Sequence, residues 1–512
     1  MVGLASLPRD VLVEIFSYFC LHCRGDLKPV KGVGTPHEQK RWREPQQPDQ
    51  KSWYSIDKYT LFSLAASCKA LHAVAEDVLY HDFAPGYGDS ELSELYTFGN
   101  RLNQFMGTVG SRKDLADKVR FLFVHPKHSN ASVKRIVLSL KQGAADLDID
   151  IAQAWRHRAE YFMKSWTPEL IEVWGRQQEY QFMLNSAFTD EILEYAALRS
   201  QRYYYSKDLA RQVEINYAMT ANVLYRALHH ELIPMLIAML PKLSHIIYKY
   251  KSVFGMIKHT ALDALGVTEF PYLRTLEIDK DLFSILKRAP NLEQLDITKI
   301  PLLKRDEGPS GDRSKIKTLR LENVSSISEL SKPLSFAAKD LRSLVIESGI
   351  EPSLPWLSAD VIEKARDYRH SLETIHLDLR SVKVVCRSDR RDCTFRDFGK
   401  LQNVFLSTRL IFSISRQLKV EDRSAITWLL PPSMVSLHLV WDGTEIDSLE
   451  QGLLGLAAAT TDRFQSLKFV GLDYAERVNV TVDEAMLKTG VEFTYESWPV
   501  SFNNERYNLW AV

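Results

Sequence analysis

Cysteine is scarce, with five in 512 residues, at Cys20, Cys23, Cys68, Cys386 and Cys393. An odd number scattered so widely is no disulfide framework and fits a reducing compartment, cytoplasmic or nuclear. Net charge is missing too, because 65 basic residues stand against 65 acidic ones. A neutral chain has no electrostatic footprint for nucleic acid or an anionic membrane, so neither is expected as a partner. No stretch reaches the uninterrupted apolar length of a membrane helix, and Asp10 and Glu14 break the apolar region where a signal peptide would lie. A phosphate-cradling glycine loop and a Gly-x-Ser-x-Gly elbow are also lacking, so no catalytic residue and no cofactor is expected. Cys20-Leu21-His22-Cys23 has the spacing of half a zinc site, but no second ligand pair follows at a suitable distance. The segment is expected to be a helix end, without metal.

The apolar content is 45%, that of a folded protein, and the length is too great for one simple core. Near the N-terminus, Ser6 is placed as an N-cap, Pro8 as a first-turn proline, and Val11, Leu12, Ile15, Phe16 and Phe19 recur at helical spacing. The pattern resumes where Asp57 is placed to cap, with Leu61, Leu64, Ala65, Cys68 and Leu71 on one stripe, then Val74, Ala75, Val78 and Leu79. The polar interval between, residues 22–56, holds Pro29, Pro36, Pro45 and Pro48 and reads as a loop. Helices this few have too little interior to bury so much apolar surface among themselves, and the excess calls for a partner.

The two segments resemble an F-box over about residues 4–82, within an expected F-box domain of residues 1–82. The family pattern of Leu-Pro, an acidic residue, a leucine and an Ile-Phe pair is matched at Leu7, Pro8, Asp10, Leu12, Ile15 and Phe16. Ser67-Cys68-Lys69 with Leu71, and then Leu79-Tyr80, is similar to the family's third-helix ending, while the long inserted loop departs from the family. The resemblance implies binding to Skp1, and through it to cullin and RING subunits, by Leu7, Pro8, Leu12, Ile15, Phe16, Leu61, Leu64, Cys68 and Leu71. It implies a non-catalytic substrate-recognition adaptor of an SCF-type ubiquitin ligase, acting by proximity, with a non-degradative Skp1-bound scaffold as the alternative.

Residues 83–118 read as a helical linker, and about 131–238 as a helical insertion. A phrase then recurs: apolar, two residues, apolar, one residue, apolar. It begins at Val119, Leu243, Leu273, Leu292, Ile316, Leu341, Leu372, Leu401, Met434 and Leu467. Each copy suits a short strand with one face packed inside, and helical patterns fill the intervals. These units resemble degenerate leucine-rich repeats, and Leu115-Ala116-x-x-Val119-Arg120-x-Leu122 is similar to the opening of the repeat region in many F-box proteins of filamentous fungi. The expected fold is therefore α/β: a helical F-box, then a leucine-rich-repeat-like solenoid over 119–512 with a C-terminal cap over about 490–512. Strand alternation places Glu277, Asp279, Asp296, Arg320, Glu322, Glu347, His376, Asp378, Phe405, His438 and Phe469 outward, as a mostly acidic client-binding face with two aromatic anchors.

Overall fold

The computed structural model describes residues 3–24, 53–85, 101–124, 133–150, 232–248, 262–263, 265–278, 283–297, 315–324, 330–348, 356–380, 384–385, 393–474 and 477–495. Every copy of the repeated phrase folds as a strand. The strands are β1 (Asp82–Phe83), β2 (Phe121–Val124), β3 (His245–Tyr248), β4 (Thr275–Ile278), β5 (Gln294–Ile297), β6 (Thr318–Val324), β7 (Ser343–Ser348), β8 (Trp356–Leu357), β9 (Thr374–Asp378), β10 (Val384–Val385), β11 (Asn403–Ser407), β12 (Ser436–Val440), β13 (Phe469–Asp473) and β14 (Glu492–Tyr495). Twelve of them form one sheet, ordered β1-β2-β3-β4-β5-β6-β7-β9-β11-β12-β13-β14, while β8 and β10 pair with each other. Neighbours are parallel throughout, and strand order follows chain order without a reversal.

Register follows from the phrase. Its fourth and sixth residues form two apolar rows, for example Ile375, Val404, Leu437 and Val470, and Leu377, Leu406, Leu439 and Leu472. All eight are fully buried and belong to a core cluster that extends from Phe83 to Val491. The phrase's first residue, such as Leu401 or Met434, is buried in the same cluster just ahead of the strand. There the backbone makes a second ladder: the amides of Gln402, Val435, Lys468 and Glu492 donate in turn to the carbonyls of Glu373, Gln402, Val435 and Lys468.

Helices return the chain between strands and cover the apolar rows. Thr408–Gln417 and Asp422–Leu429 lie between β11 and β12, Ile446–Ala459 between β12 and β13, and Val480–Lys488 between β13 and β14. Asn479 caps the last of these by accepting from the Thr481 amide at 3.1 Å. The helices at 422–429 and 446–459 approach so closely that a Cβ at Gly455 would fall 1.7 Å from the Arg423 carbonyl oxygen.

Among the described residues four helices precede the sheet: α1 (Arg9–Ser17), α2 (Leu21–Arg24), α3 (Trp53–Ser67) and α4 (Lys69–Leu79). α1, α3 and α4, with Cys20 from the turn before α2, enclose a separate core of Leu12, Phe16, Cys20, Leu61, Leu71, Val74, Ala75 and Val78. Two expected caps differ. Ser6 lies in a 3-10 turn and donates to the Gly3 carbonyl, and Pro8 occupies the N-cap of α1. Asp57 stands inside α3, which already starts at Trp53, and pairs with Arg24 at 3.1 Å.

The expected boundary at residue 82 also shifts, because Asp82 and Phe83 form the edge strand of the sheet. Arg101–Ser111 and Lys113–Ala116 are helical, as expected, but Leu102, Met106 and Val109 are buried in the main core, so this stretch is part of the sheet's packing and not a linker. Of the expected insertion, Val133–Asp146 and residues 232–239 are helical, and 151–231 lie outside the described residues. The expected last strand is β14; residues 496–512 lie outside the described residues.

Leu437→Ala, in the middle of an apolar row, is expected to destabilise the fold by about 2–5 kcal/mol. Leu487→Ala, at an 80% exposed position, is expected to stay within about 0.5 kcal/mol. Thermal denaturation of the two variants beside the wild type checks the difference.

Candidate functional site

The N-terminal helices divide the residues expected to contact Skp1 into two sets. Leu12, Phe16, Leu61 and Leu71 are buried in the module's own core and are not available to a partner. Helical spacing marks an apolar stripe without saying whether its own neighbours or another protein will cover it, and here α4 supplies the cover. Leu7, Ile15 and Leu64 are half-buried, while Pro8 and Cys68 are exposed. The apolar surface left open includes Val11 on α1 and Tyr18 at its C-cap, with Ile15 between them, and Ile56, Tyr59 and Phe62 on α3. Positions 11 and 15 share one face of α1, which the C-cap residue at 18 continues, as 56, 59 and 62 share one face of α3.

On another side this module is attached to the sheet. Leu21 and Tyr54 pack with Ala84 and with Phe121, Phe123 and Ile247, which lie on the face of β2 and β3 opposite the main core. Asp82, buried at the start of β1, gathers the polar groups of the junction. Its carboxylate accepts from the Leu21 amide at 2.9 Å, from the Tyr54 hydroxyl at 3.1 Å and from the Cys20 thiol at 3.1 Å, and pairs with Lys58 at 2.5 Å. Tyr54 in turn accepts from the Ala84 amide at 2.9 Å. Strand, loop and helices thus share one carboxylate.

Beside Asp82, the Cys20-Leu21-His22-Cys23 segment does not stand alone. His81, 58 positions beyond Cys23, places its Nδ1 3.1 Å from the Cys23 Sγ, and His22 Nδ1 lies 3.8 Å from the same sulfur. The segment is not the end of α1, which stops at Ser17, but Cys20 followed by the start of the separate short helix α2, and the expectation that no further ligand stands near it is also corrected: His81 reaches it through the fold and not through spacing along the chain. The hydrogen bond with Cys20 draws the Cys23 thiol down to about 7, and the same bond together with burial pushes Cys20 up. Burial, with the nearby His22, lowers His245 to about 4.

The expected client-binding face is not at the surface. Glu277, Asp296, Arg320, Glu322, Glu347, His376, Asp378, Phe405, His438 and Phe469 are all buried, and Asp279 lies outside the described residues. Side chains on strands about 4.8 Å apart lie against one another, and these do so by chemistry. Arg320 meets Glu347 at 2.8 Å, Glu322 at 2.9 Å and Asp296 at 3.7 Å. Burial opposes its charge, but Glu347, Glu322, Asp296 and Glu277 outweigh that and hold the guanidinium ionised. Farther along, His376 stacks on Phe405 at 3.8 Å with the rings nearly parallel, and His438 lies 4.9 Å from Phe469. Gly471 keeps room there, since a Cβ would come 3.0 Å from His438 Nδ1.

Residues that sequence reasoning passed over complete this face. Arg380 pairs with Asp378 at 2.8 Å and, three strands farther along, with Asp473 at 2.8 Å. Asp82, Tyr54 and Lys58 were equally unmarked, since nothing in their spacing distinguishes them from surface polar residues. Taken together, the geometry is that of a held framework: a charged cluster and an aromatic row lock strands to one another, and the open apolar surface lies on the helices.

Arg320→Ala leaves buried carboxylates without the guanidinium they face, and a loss of about 3–5 kcal/mol is expected, read as a lowered midpoint of thermal or urea unfolding. A pH effect belongs to His438. Burial and the neighbouring His376 lower it from 6.5 to about 3, so the folded imidazole stays neutral where the unfolded one takes up a proton. Its contribution is complete above pH 6.5 and is lost as pH falls toward 3, by about 1.4 kcal/mol per unit. His438→Gln is expected to shrink the drop in melting temperature between pH 7 and pH 5.

Comparison with known proteins leaves the site to its own chemistry: no protein-family model matches the sequence, and no curated protein gives a significant match.

Proposed function

We propose that the chain is a non-catalytic adaptor: its N-terminal helices are an F-box that docks Skp1, and its strands form a leucine-rich-repeat-like solenoid that holds a client protein for an SCF-type ubiquitin ligase. The observation that carries the proposal is the open apolar surface of the helices. Tyr18, Tyr59 and Phe62 are 64%, 70% and 59% exposed in a module that already has its own core and is already attached to the sheet through Leu21 and Tyr54. Large side chains left open after both of those demands are met suit a protein partner.

The repeat reading draws support from strand order. Twelve parallel strands paired strictly in chain order are what stacked repeats produce, whereas a doubly wound sheet reverses direction at a switch point. The client surface is not assigned to the buried row of charges and rings. Catalysis in this proposal is left to the partners, with the chain raising the local concentration of client near the transfer machinery. Among the described residues no helix is long and apolar enough to cross a membrane.

The purified full chain is expected to capture purified Skp1. Val11→Asp combined with Phe62→Asp, at exposed positions, is expected to weaken that capture by about 30-fold or more with the melting temperature unchanged. Failure of the wild-type chain to bind Skp1 would overturn the proposal.

A further inference from the structure

The ligand atoms of Cys20, His22, Cys23 and His81 all lie within 4.8 Å of one another. Two thiols and two imidazoles are the donor set of a structural zinc site, and d10 zinc imposes no geometry that such a set must strain to meet. With bonds of about 2.3 Å to sulfur and about 2.0–2.1 Å to nitrogen, tetrahedral ligands sit about 3.3–3.8 Å apart. Cys23 Sγ is already 3.1 Å from His81 Nδ1 and 3.8 Å from His22 Nδ1, so the cluster is at that scale before any ion is added. We propose that Cys20, His22, Cys23 and His81 bind one zinc ion.

The fold prepares the site. Asp82 grips the Leu21 amide between two of the ligands, and the same residue follows His81 in the chain, so one buried carboxylate positions both halves. His245 stands behind His22 with ring centres 6.0 Å apart, and its Nδ1 is 2.8 Å from the Ser244 hydroxyl. On binding, the two thiols each release a proton to solvent and both sulfurs become thiolate ligands. Cys20 then ceases to donate to Asp82, which keeps the Leu21 amide, the Tyr54 hydroxyl and Lys58. The consequence is mechanical. Three ligands belong to the helical module and the fourth immediately precedes the edge strand, so the ion clamps the module to the sheet at a fixed angle. The site stands whether or not the helices dock Skp1.

Metal analysis of the full chain, purified under reducing conditions and loaded with zinc, is expected to give about one equivalent. Cobalt substitution is expected to show the intense visible bands and thiolate charge transfer of a tetrahedral thiolate site. Stripping with a chelator is expected to lower the melting temperature by several degrees, and zinc to restore it. Cys23→Ser and His81→Asn, at ligands that are not fully buried, are each expected to reduce bound metal at least about tenfold, while Cys68→Ser, an exposed cysteine outside the cluster, keeps it. These two variants test the site even if the buried Cys20→Ser does not fold. Wild-type protein that holds less than about a tenth of an equivalent after loading, or zinc content untouched by Cys23→Ser and His81→Asn, overturns the proposal.

Discussion

Register is the constraint on which the structure depends. A strand's side chains alternate between faces, so sliding β12 by one residue against its neighbours would turn Leu437 and Leu439 out of the main core and drive His438 into it. Two leucines at about 1.5–3 kcal/mol each, and an imidazole that burial keeps neutral, oppose that slip. The same arithmetic recurs at every strand. Because each copy of the phrase carries its own first, fourth and sixth apolar residues, register is set locally and the sheet is built by addition. That is why helices of different length, and even the long stretch between β2 and β3, can be interposed without disturbing the rows on either side.

The second face of the sheet obeys a different requirement. Its residues do not define register by hydrophobicity, yet Asp296, Arg320, Glu347, His376, Phe405 and His438 are buried as deeply as the first face, while His245, Gln294 and Asn403 at the strand starts are half-buried. Arg320 bridges β5, β6 and β7, and Arg380 reaches from the end of β9 to Asp473 on β13. Such bridges contribute little net stability compared with apolar contacts, because burying the charges costs nearly what pairing them returns. What they add is geometric: a guanidinium that must meet several carboxylates holds successive strands at one spacing, and the stacked rings of His376 and Phe405 continue the same role where the charges end.

How much of this was legible follows from what a pattern can encode. The ten copies of the phrase located ten strands, since apolar periodicity is a local property and each strand's packing repeats its neighbour's. Strands β1, β8 and β10, only two residues long, carry no period to detect. Alternation also separated the two faces correctly, but it could not tell a solvated face from a covered one, and Glu347 and His438 were placed outside for that reason. The same ambiguity affected Leu12 and Phe16, which occupy the module's own core. His81 was invisible next to Cys23 because a contact between positions 58 residues apart leaves no spacing signature.

The junction at Asp82 joins the two halves of the proposed function. An adaptor that works by proximity must hold its docking face and its client domain at a defined angle, because slack between them spreads the client over a larger volume and dilutes its effective concentration. A polar hub suits that task better than an apolar contact of the same size. Apolar surfaces tolerate sliding, whereas a buried carboxylate that must meet the Leu21 amide, the Tyr54 hydroxyl and Lys58 together has one arrangement that satisfies all three, and departure from it leaves a buried charge without its partners. Leu21 and Tyr54 against Phe121, Phe123 and Ile247 supply the attraction, and Asp82 selects the angle.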